Sequence, residues 1–135
     1  LTFMLTKNEE DYLRAIYLME ERRSNAKSID LADYLKVSKP SVSEMMQRLS
    51  GEGMISYKKY SGIKFTPKGR RIASKLTAKH RVIELFLKNV IKTNSAKIHQ
   101  EADRLEHAFS DESVLKLRKL LGNPKKDPHG KLIPG

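Results

Sequence analysis

Apolar residues recur at helical spacing along most of this chain and alternate in only one short region. Tyr12, Leu13, Ile16, Tyr17 and Met19 form a stripe, with Asp11 set off it. Thr6-Lys7-Asn8-Glu9 has the form of a capping box, so a helix is predicted from there to about Arg22–Ser24. Ser28 to Leu35 reads as a short helix with Ser28 as N-cap, and Lys36-Val37 turns the chain. Ser38 caps a further helix that tolerates Pro40 in its first turn. Val42, Met45, Met46 and Leu49 are the apolar stripe of that helix. Ser41, Glu44, Gln47 and Arg48 face elsewhere, and Gly51 and Gly53 end it. The alternation comes next: Ile55–Lys59 and Ile63–Thr66 read as strands around Tyr60-Ser61-Gly62, a hairpin.

Thr66-Pro67 opens another helix, which the pattern carries to about Lys92. Its later part (Val82, Ile83, Leu85, Phe86, Leu87, Val90, Ile91) is apolar nearly all round. That is more than one small domain covers, so a second copy of the chain is expected there. After a break at Lys92–Ser95, residues Ile98 to Phe109 carry two stripes on one helix. Ile98, Ala102, Leu105 and Phe109 make an apolar face; His99, Asp103, Glu106 and His107 share the neighbouring one. Ser110-Asp111-Glu112 caps a last helix with Val114, Leu115, Leu117, Leu120 and Leu121 as apolar positions and Gly122 as its stop. The Pro- and Gly-rich tail from Asn123 reads as loop or linker.

With 135 residues, the chain fits one domain or two small ones. Its 27 Lys+Arg against 16 Asp+Glu give a net charge of +11, which favours a polyanionic partner such as nucleic acid or an anionic membrane. Between Glu52 and Glu84 the charges are all basic: Lys58, Lys59, Lys64, Lys68, Arg70, Arg71, Lys75, Lys79 and Arg81. A one-sign run repels itself unless a polyanion neutralises it. Cysteine is absent, which excludes disulfides, thiolate zinc sites and a cysteine nucleophile. No apolar run reaches membrane-span length and no signal peptide is visible, so a cytoplasmic protein is expected.

Two short helices joined by a tight turn are the helix-turn-helix layout, and a hairpin directly after it is a wing. Wing lysines Lys58, Lys59 and Lys64 are placed to meet phosphates. The stripe His99, Asp103, Glu106, His107 offers imidazole and carboxylate without amide or hydroxyl, a set suited to divalent first-row metals, although a solvated polar face opposite a core has the same look. His80 and Glu84 stand four residues apart on the preceding helix.

These pieces together resemble the metal-dependent transcriptional repressors that include the diphtheria toxin repressor, the iron-dependent regulators and the manganese transport regulator. The matching residues are Glu10-Asp11-Tyr12-Leu13, Ser38-Lys39-Pro40-Ser41-Val42-Ser43, Thr66-Pro67-Lys68-Gly69, Lys79-His80-Arg81, His99-Gln100-Glu101-Ala102 leading to Leu105-Glu106-His107, and Asp127-Pro128-His129-Gly130 through Ile133-Pro134-Gly135. The resemblance implies a mainly α fold, with a winged helix-turn-helix DNA-binding domain over 1–72 and a helical dimerisation and metal-binding domain over 73–135. Carried over by position, Asp11, Asp103, Glu106 and His107 are the primary metal ligands, and His80, Glu84 and His99 the ancillary ones. Manganese-type members also use the histidine matching His80 beside the primary carboxylates. Ser38, Lys39, Pro40, Ser41, Ser43, Glu44, Gln47 and Arg48, with the wing lysines, become the DNA-binding residues. Iron-type members have Met where Asp11 stands and Cys where Asp103 stands; the manganese regulator has a further carboxylate where Arg14 stands. Many longer members continue into a third, SH3-like domain, and this chain stops at Gly135 before it.

The resemblance therefore implies a homodimeric, non-enzymatic regulator that binds a palindromic double-stranded operator when Mn(II), or alternatively Fe(II), is bound. Other divalent transition metals are expected to serve in vitro, and neither a membrane nor a small-molecule substrate is expected. Two other readings use parts of the same pattern. A winged-helix regulator sensing an organic ligand would leave the polar stripe merely solvated. A metal hydrolase would use the His and carboxylates to activate water, but no HExxH or other catalytic signature is present and the helix-turn-helix half would be unexplained.

Overall fold

The polypeptide was analysed as a computed structural model, which describes residues 4–23, 25–58 and 62–135. Its elements are α1 (Lys7–Arg23), α2 (Ser28–Leu35), α3 (Lys39–Gly51), β1 (Ile55–Lys58), β2 (Gly62–Phe65), α4 (Pro67–Phe86), α5 (Ser95–Glu106) and α6 (Asp111–Leu120). They form two units, Leu1–Ser74 and Lys75–Gly135, with α4 running from one into the other. Among the described residues, no helix is long and apolar enough to cross a membrane.

In the first unit, side chains punctuate the helices. Thr6 N–H donates to Glu9 Oε1 at 3.0 Å and Glu9 N–H to Thr6 Oγ1 at 3.1 Å, the reciprocal bonds of a capping box. Ser38 accepts from Ser41 N–H at 3.2 Å and starts α3, with Pro40 in its first turn. Val42, Met45, Met46 and Leu49 are buried, as their spacing predicts. One expectation fails by a residue. Ser28 is the first residue of α2 and not its cap; Lys27 stands at the N-cap in extended conformation with no side-chain cap bond. The turn after α2 puts Lys36 in the left-handed region (φ 56°), a conformation that costs a non-glycine residue and here closes the α2–α3 corner.

β1 and β2 pair antiparallel with Ser56 opposite Lys64 and Tyr57 opposite Ile63. Ile55 and Ile63 are buried, whereas Ser56, Lys58 and Lys64 are exposed. Strand alternation thus separates a core face from a cationic face. Lys59, Tyr60 and Ser61 lie outside the described residues, as does Ser24 beyond α1. Thr66 caps α4 by accepting from Gly69 N–H at 3.0 Å and also donates to Gly53 O at 2.6 Å, which ties the helix start to the chain before the wing. Gly69 is required there, because a Cβ would lie 1.8 Å from Met54 O.

In the second unit, α4 gives way at Leu87 to a single π turn (Leu87–Ile91) that ends on Lys92 in the left-handed region (φ 63°). Val82, Ile83, Leu85, Leu87, Ile98, Ala102, Val114, Leu117 and Ile133 make the core of this unit. Val90, Ile91, Leu115, Leu120 and Leu132 are more than half exposed. One sequence expectation is corrected here and another is sharpened. The helix expected to reach Phe109 stops at Glu106, and His107 is its C-cap residue. The tail is a loop, as expected, and it is packed down: Ile133 is buried, and Arg118 donates to Pro134 O, Ile133 O and Pro124 O at 2.8 to 3.4 Å.

A carboxyl pair, buried Glu9 and half-buried Glu52, connects the start of α1 with the end of α3. Glu9 is 1 % exposed. Neither Glu9 Oε2 nor Glu52 Oε1 has a hydrogen-bond donor unless one of the two acids is protonated. The hydrogen bond to Glu9, then burial and the charge of Glu9, push the Glu52 carboxyl up to about 6. Burial would raise Glu9, but bonds with Glu52 and Thr6 and the charge of Arg48 hold it below the usual range. Because the folded-state value of Glu52 is raised, its contribution to stability is complete below pH 4.5 and is lost as pH rises through about 6. Glu52→Gln keeps a donor at every pH. The melting temperature of this variant relative to the parent should therefore climb from pH 4.5 to above pH 6. A pH-independent difference in thermal melts would show that the proton is not shared.

Candidate metal centre

Four predicted ligands meet in the second unit because α4 and α5 each present a face with helical spacing. His80 and Glu84 are one turn apart on α4; His99 and Glu106 are two turns apart on α5. His80 is buried, and its Nδ1 lies 2.8 Å from Glu106 Oε1. A carboxylate is an acceptor, so that bond puts the imidazole proton on Nδ1 and leaves Nε2 with a lone pair. His80 Nε2 then faces His99 Nδ1 at 3.3 Å and Glu84 Oε2 at 3.5 Å, and His99 Nδ1 is 3.7 Å from Glu84 Oε2.

These three atoms form a near-equilateral triangle. Ligands held at about 2.1 Å around a tetrahedral ion stand about 3.4 Å from one another. The donor set therefore fits a divalent ion in size as well as in chemistry: two imidazole nitrogens and one carboxylate oxygen. Behind it, Glu106 orients His80 as an outer carboxylate does in metal sites. Burial would raise Glu84, but while the two imidazoles are protonated, their hydrogen bonds and charge hold its carboxyl well below the usual range; a metal takes over that role when it displaces those protons. The His99 side chain is 59 % exposed against 6 % for His80 and 4 % for Glu84, so the triangle opens to solvent on the His99 side.

The remaining predicted ligands are placed as follows. Asp103 and His107, both half-buried, bring a carboxylate oxygen and a ring nitrogen within 4.8 Å of each other. Asp11 stands half-buried on α1 in the first unit. Glu106, expected on a polar face, is 2 % exposed and bonded to His80. His80 thus faces Glu84 and His99 through one nitrogen and Glu106 through the other.

Sequence reasoning missed Asp127 and His129, which form a further group with Glu84. The signal available was an Asp-x-His pair inside a Pro/Gly tail. Much of the Asp127 side chain already serves the fold. Oδ1 accepts from the N–H groups of His129 and Lys131, both at 2.8 Å, and Oδ2 is 3.9 Å from Nε of the buried Arg81. Arg81 Nη1 also donates to Leu132 O at 2.6 Å. A guanidinium in this position competes with any cation for Asp127.

The DNA-facing candidates sit in the first unit. Ser38, Lys39, Pro40, Ser41, Ser43, Glu44, Gln47 and Arg48 are all exposed on α3 or its cap, and Lys58 and Lys64 are exposed on the wing. Arg48 Nε lies 3.6 Å from Glu9 Oε2, which ties the outer face of α3 to the start of α1.

Two family models account for nearly all of the chain. Residues 4–63 match the iron dependent repressor N-terminal DNA binding domain, and residues 66–135 match the iron dependent repressor metal binding and dimerisation domain. The chain belongs to the iron-dependent repressor family. It is similar to the diphtheria toxin repressor of Corynebacterium diphtheriae, at 35 % identity over 131 residues, covering 97 % of this chain and 58 % of that one. It is also similar to the HTH-type transcriptional regulator MntR of Bacillus pumilus, at 35 % identity over 111 residues, covering 82 % of this chain and 76 % of that one. Among solved structures, that of the manganese regulator SloR superposes with a TM-score of 0.84 at 43 % identity, covering 97 % of this chain and 61 % of that one. The chain thus spans about three fifths of the length of the diphtheria toxin repressor and of SloR. The resemblance carried by the separated motifs is correct, and so is the mainly helical winged fold it implied.

The Glu106–His80 bond makes a direct prediction. Glu106→Ala leaves a buried imidazole N–H without an acceptor, which should cost roughly 1–3 kcal/mol in denaturant unfolding. It should also weaken Zn²⁺ or Mn²⁺ binding by roughly 10–100-fold in calorimetric titration, as loss of an outer carboxylate does. Unchanged stability together with unchanged metal affinity would mean that something else orients His80.

Proposed function

We propose that this chain is a metal-activated, homodimeric DNA-binding repressor of the cytoplasm. It would act on a palindromic double-stranded operator and perform no catalysis. The observation that carries this reading is the His80–Glu84–His99 triangle, backed by Glu106, in a chain whose other half matches a DNA-binding domain. In this reading residues 1–72 bind DNA and residues 73–135 bind metal and the second copy. The exposed Val90, Ile91, Leu115 and Leu120 supply apolar surface for that copy.

Asp11, Asp103, Glu106 and His107 are the proposed primary ligands; His80, Glu84 and His99 are the ancillary ones. A divalent ion would supply the positive charge that lets these carboxylates lie together. Asp11 belongs to the DNA-binding unit and the other ligands do not, so shared ligation couples the two units. Glu106 and His80 belong to different ligand sets and share a hydrogen bond, so the protonation and orientation of one set bear on the other.

Mn(II) is the proposed physiological metal, with Fe(II) as the alternative. Asp11 and Asp103 are hard oxygen ligands, which suit Mn(II) better than a Met and Cys pair would. Selectivity then lies in which ion activates, since Mn(II) is the weakest binder of the divalent series at a given site. Operator binding titrated anaerobically with each metal tests both points. The parent protein should require metal and respond more strongly to Mn(II) than to Fe(II), and Asp11→Met should narrow that difference. Full operator affinity in the presence of chelator would refute metal activation.

For DNA, Ser38 to Arg48 face the major groove and Lys58, Lys59 and Lys64 meet phosphates. Replacing the three lysines by Ala should weaken binding to all sequences alike. It should also reduce the slope of log K against log[salt] by roughly 0.9 for each phosphate that is no longer neutralised. A weakening confined to one operator variant at constant slope would contradict the assignment of the wing to phosphates.

A further inference from the structure

α3 carries one acid on its exposed surface, and that acid stands where it is electrostatically least welcome. At about 100° per residue, the buried Val42, Met45, Met46 and Leu49 define the inward direction of the helix. Pro40, Glu44, Gln47 and Gly51 then lie within roughly 30° of the opposite direction, along the outermost ridge. Ser41 and Arg48 fall on one flank of that ridge, and Ser43 on the other. Glu44 is therefore a ridge residue. A recognition helix presents its ridge to base edges and its flanks to the phosphate walls.

The carboxylate is also free. Arg48, four residues on, is the natural intrahelical partner of Glu44, but it pairs instead with the buried Glu9, its Nε 3.6 Å from Glu9 Oε2. The nearest side chains of α1 around the cleft beside Glu44 are Asn8 and Tyr12, neither of them cationic. Among the described residues, no hydrogen bond or ion pair engages Glu44. In a chain of net charge +11, this face of the DNA-binding helix keeps an unneutralised negative charge.

Such a charge repels the phosphate backbone and weakens binding to every sequence, unless its oxygens meet a donor in the groove. An ionised carboxylate only accepts. The donors on the major-groove floor are the N4 amino group of cytosine and the N6 amino group of adenine. Adenine sets the acceptor N7 beside its amino group, which repels a carboxylate and suits an amide; cytosine presents its amino group without that neighbour. We propose that Glu44 is a specificity residue. It accepts a hydrogen bond from cytosine N4 at one base pair of each half-site, and it penalises DNA that lacks a donor there. The proposal rests on the DNA-binding reading above and adds to it the base that is read. The same carboxylate acts as attraction on the operator and as repulsion elsewhere.

The test is selection from a randomised duplex library by the full chain in the presence of Mn²⁺, for the parent, Glu44→Ala and Glu44→Gln, with affinity for a fixed unrelated duplex measured alongside. The parent should enrich sequences with cytosine at one position of each half-site. Glu44→Ala should lose the preference at that base pair alone, by roughly 5- to 150-fold, the range of one mismatched base pair. It should also bind unrelated DNA more tightly than the parent. Glu44→Gln, with both a donor and an acceptor, should shift the preference towards adenine. If the parent enriches a motif and Glu44→Ala enriches the same motif at every position, the assignment to Glu44 is overturned and the DNA-binding reading survives. If Glu44→Ala loses all binding with its helical circular dichroism intact, the assignment also fails, because the reader of one base pair does not carry the whole affinity. If the parent enriches nothing with Mn²⁺, Fe²⁺ or Zn²⁺, the DNA-binding reading itself falls.

Discussion

His80 is the hinge of the chemistry in the second unit. A buried imidazole costs free energy unless both ring nitrogens find partners, and here each faces different ones. Glu106 accepts the hydrogen bond of Nδ1–H, which leaves the lone pair of Nε2 facing Glu84 and His99. Without Glu106 the ring could adopt the other tautomer, and the triangle would lose its nitrogen. The three donor atoms are close enough to repel when all are unprotonated, and a cation relieves that repulsion. The apolar core around Val82, Ile83, Ile98 and Ala102 holds α4 and α5 in the register that brings these side chains together. Packing thus supplies the geometry, and the outer carboxylate supplies the protonation state.

The first unit solves a different problem: presenting a polar helix to solvent while keeping it rigid. The buried stripe of α3 anchors it from within, and Ser38 fixes its start. At its end, Glu52 meets Glu9, which also closes the capping box of α1 and draws in Arg48. One buried carboxylate therefore restrains three features at once: the entry to α1, the exit of α3 and the direction of an arginine on the outer face. The freedom of Glu44 is a consequence of that arrangement, since the arginine best placed to neutralise it is engaged elsewhere.

Most elements were legible because their signals are local. Capping boxes, the Pro at a helix start and the strand alternation depend on residues within a turn or two of one another, and Thr6, Ser38, Thr66 and Ser110 all cap as their spacing implies. The misreadings arose where a local signal had a competitor. At Ser28 the extended Lys27 took the cap position. The π turn at Leu87 and the stop at Glu106 interrupt apolar patterns that by themselves continue. The tail is the loop that its composition suggested, and only the fold shows that Arg118 and Arg81 reach across to hold it.

The sequence by itself determined which chemistry is possible. Imidazoles and carboxylates at helical spacing, without cysteine, limit the site to nitrogen and oxygen ligands, and the i, i+4 spacing of His80 and Glu84 already puts two of them on one face. Only the tertiary structure decided how those residues are shared out. Glu106 counts as one more polar residue on the stripe of α5 until α4 packs beside it; it is then buried, paired with His80 and no longer a simple partner of Asp103 and His107. Asp127, more than forty residues from Glu84 along the chain, joins its surroundings in the same way. The physical reason is common to both: helical periodicity sets the face on which a side chain emerges, whereas its burial and its partner are properties of the element packed against that face.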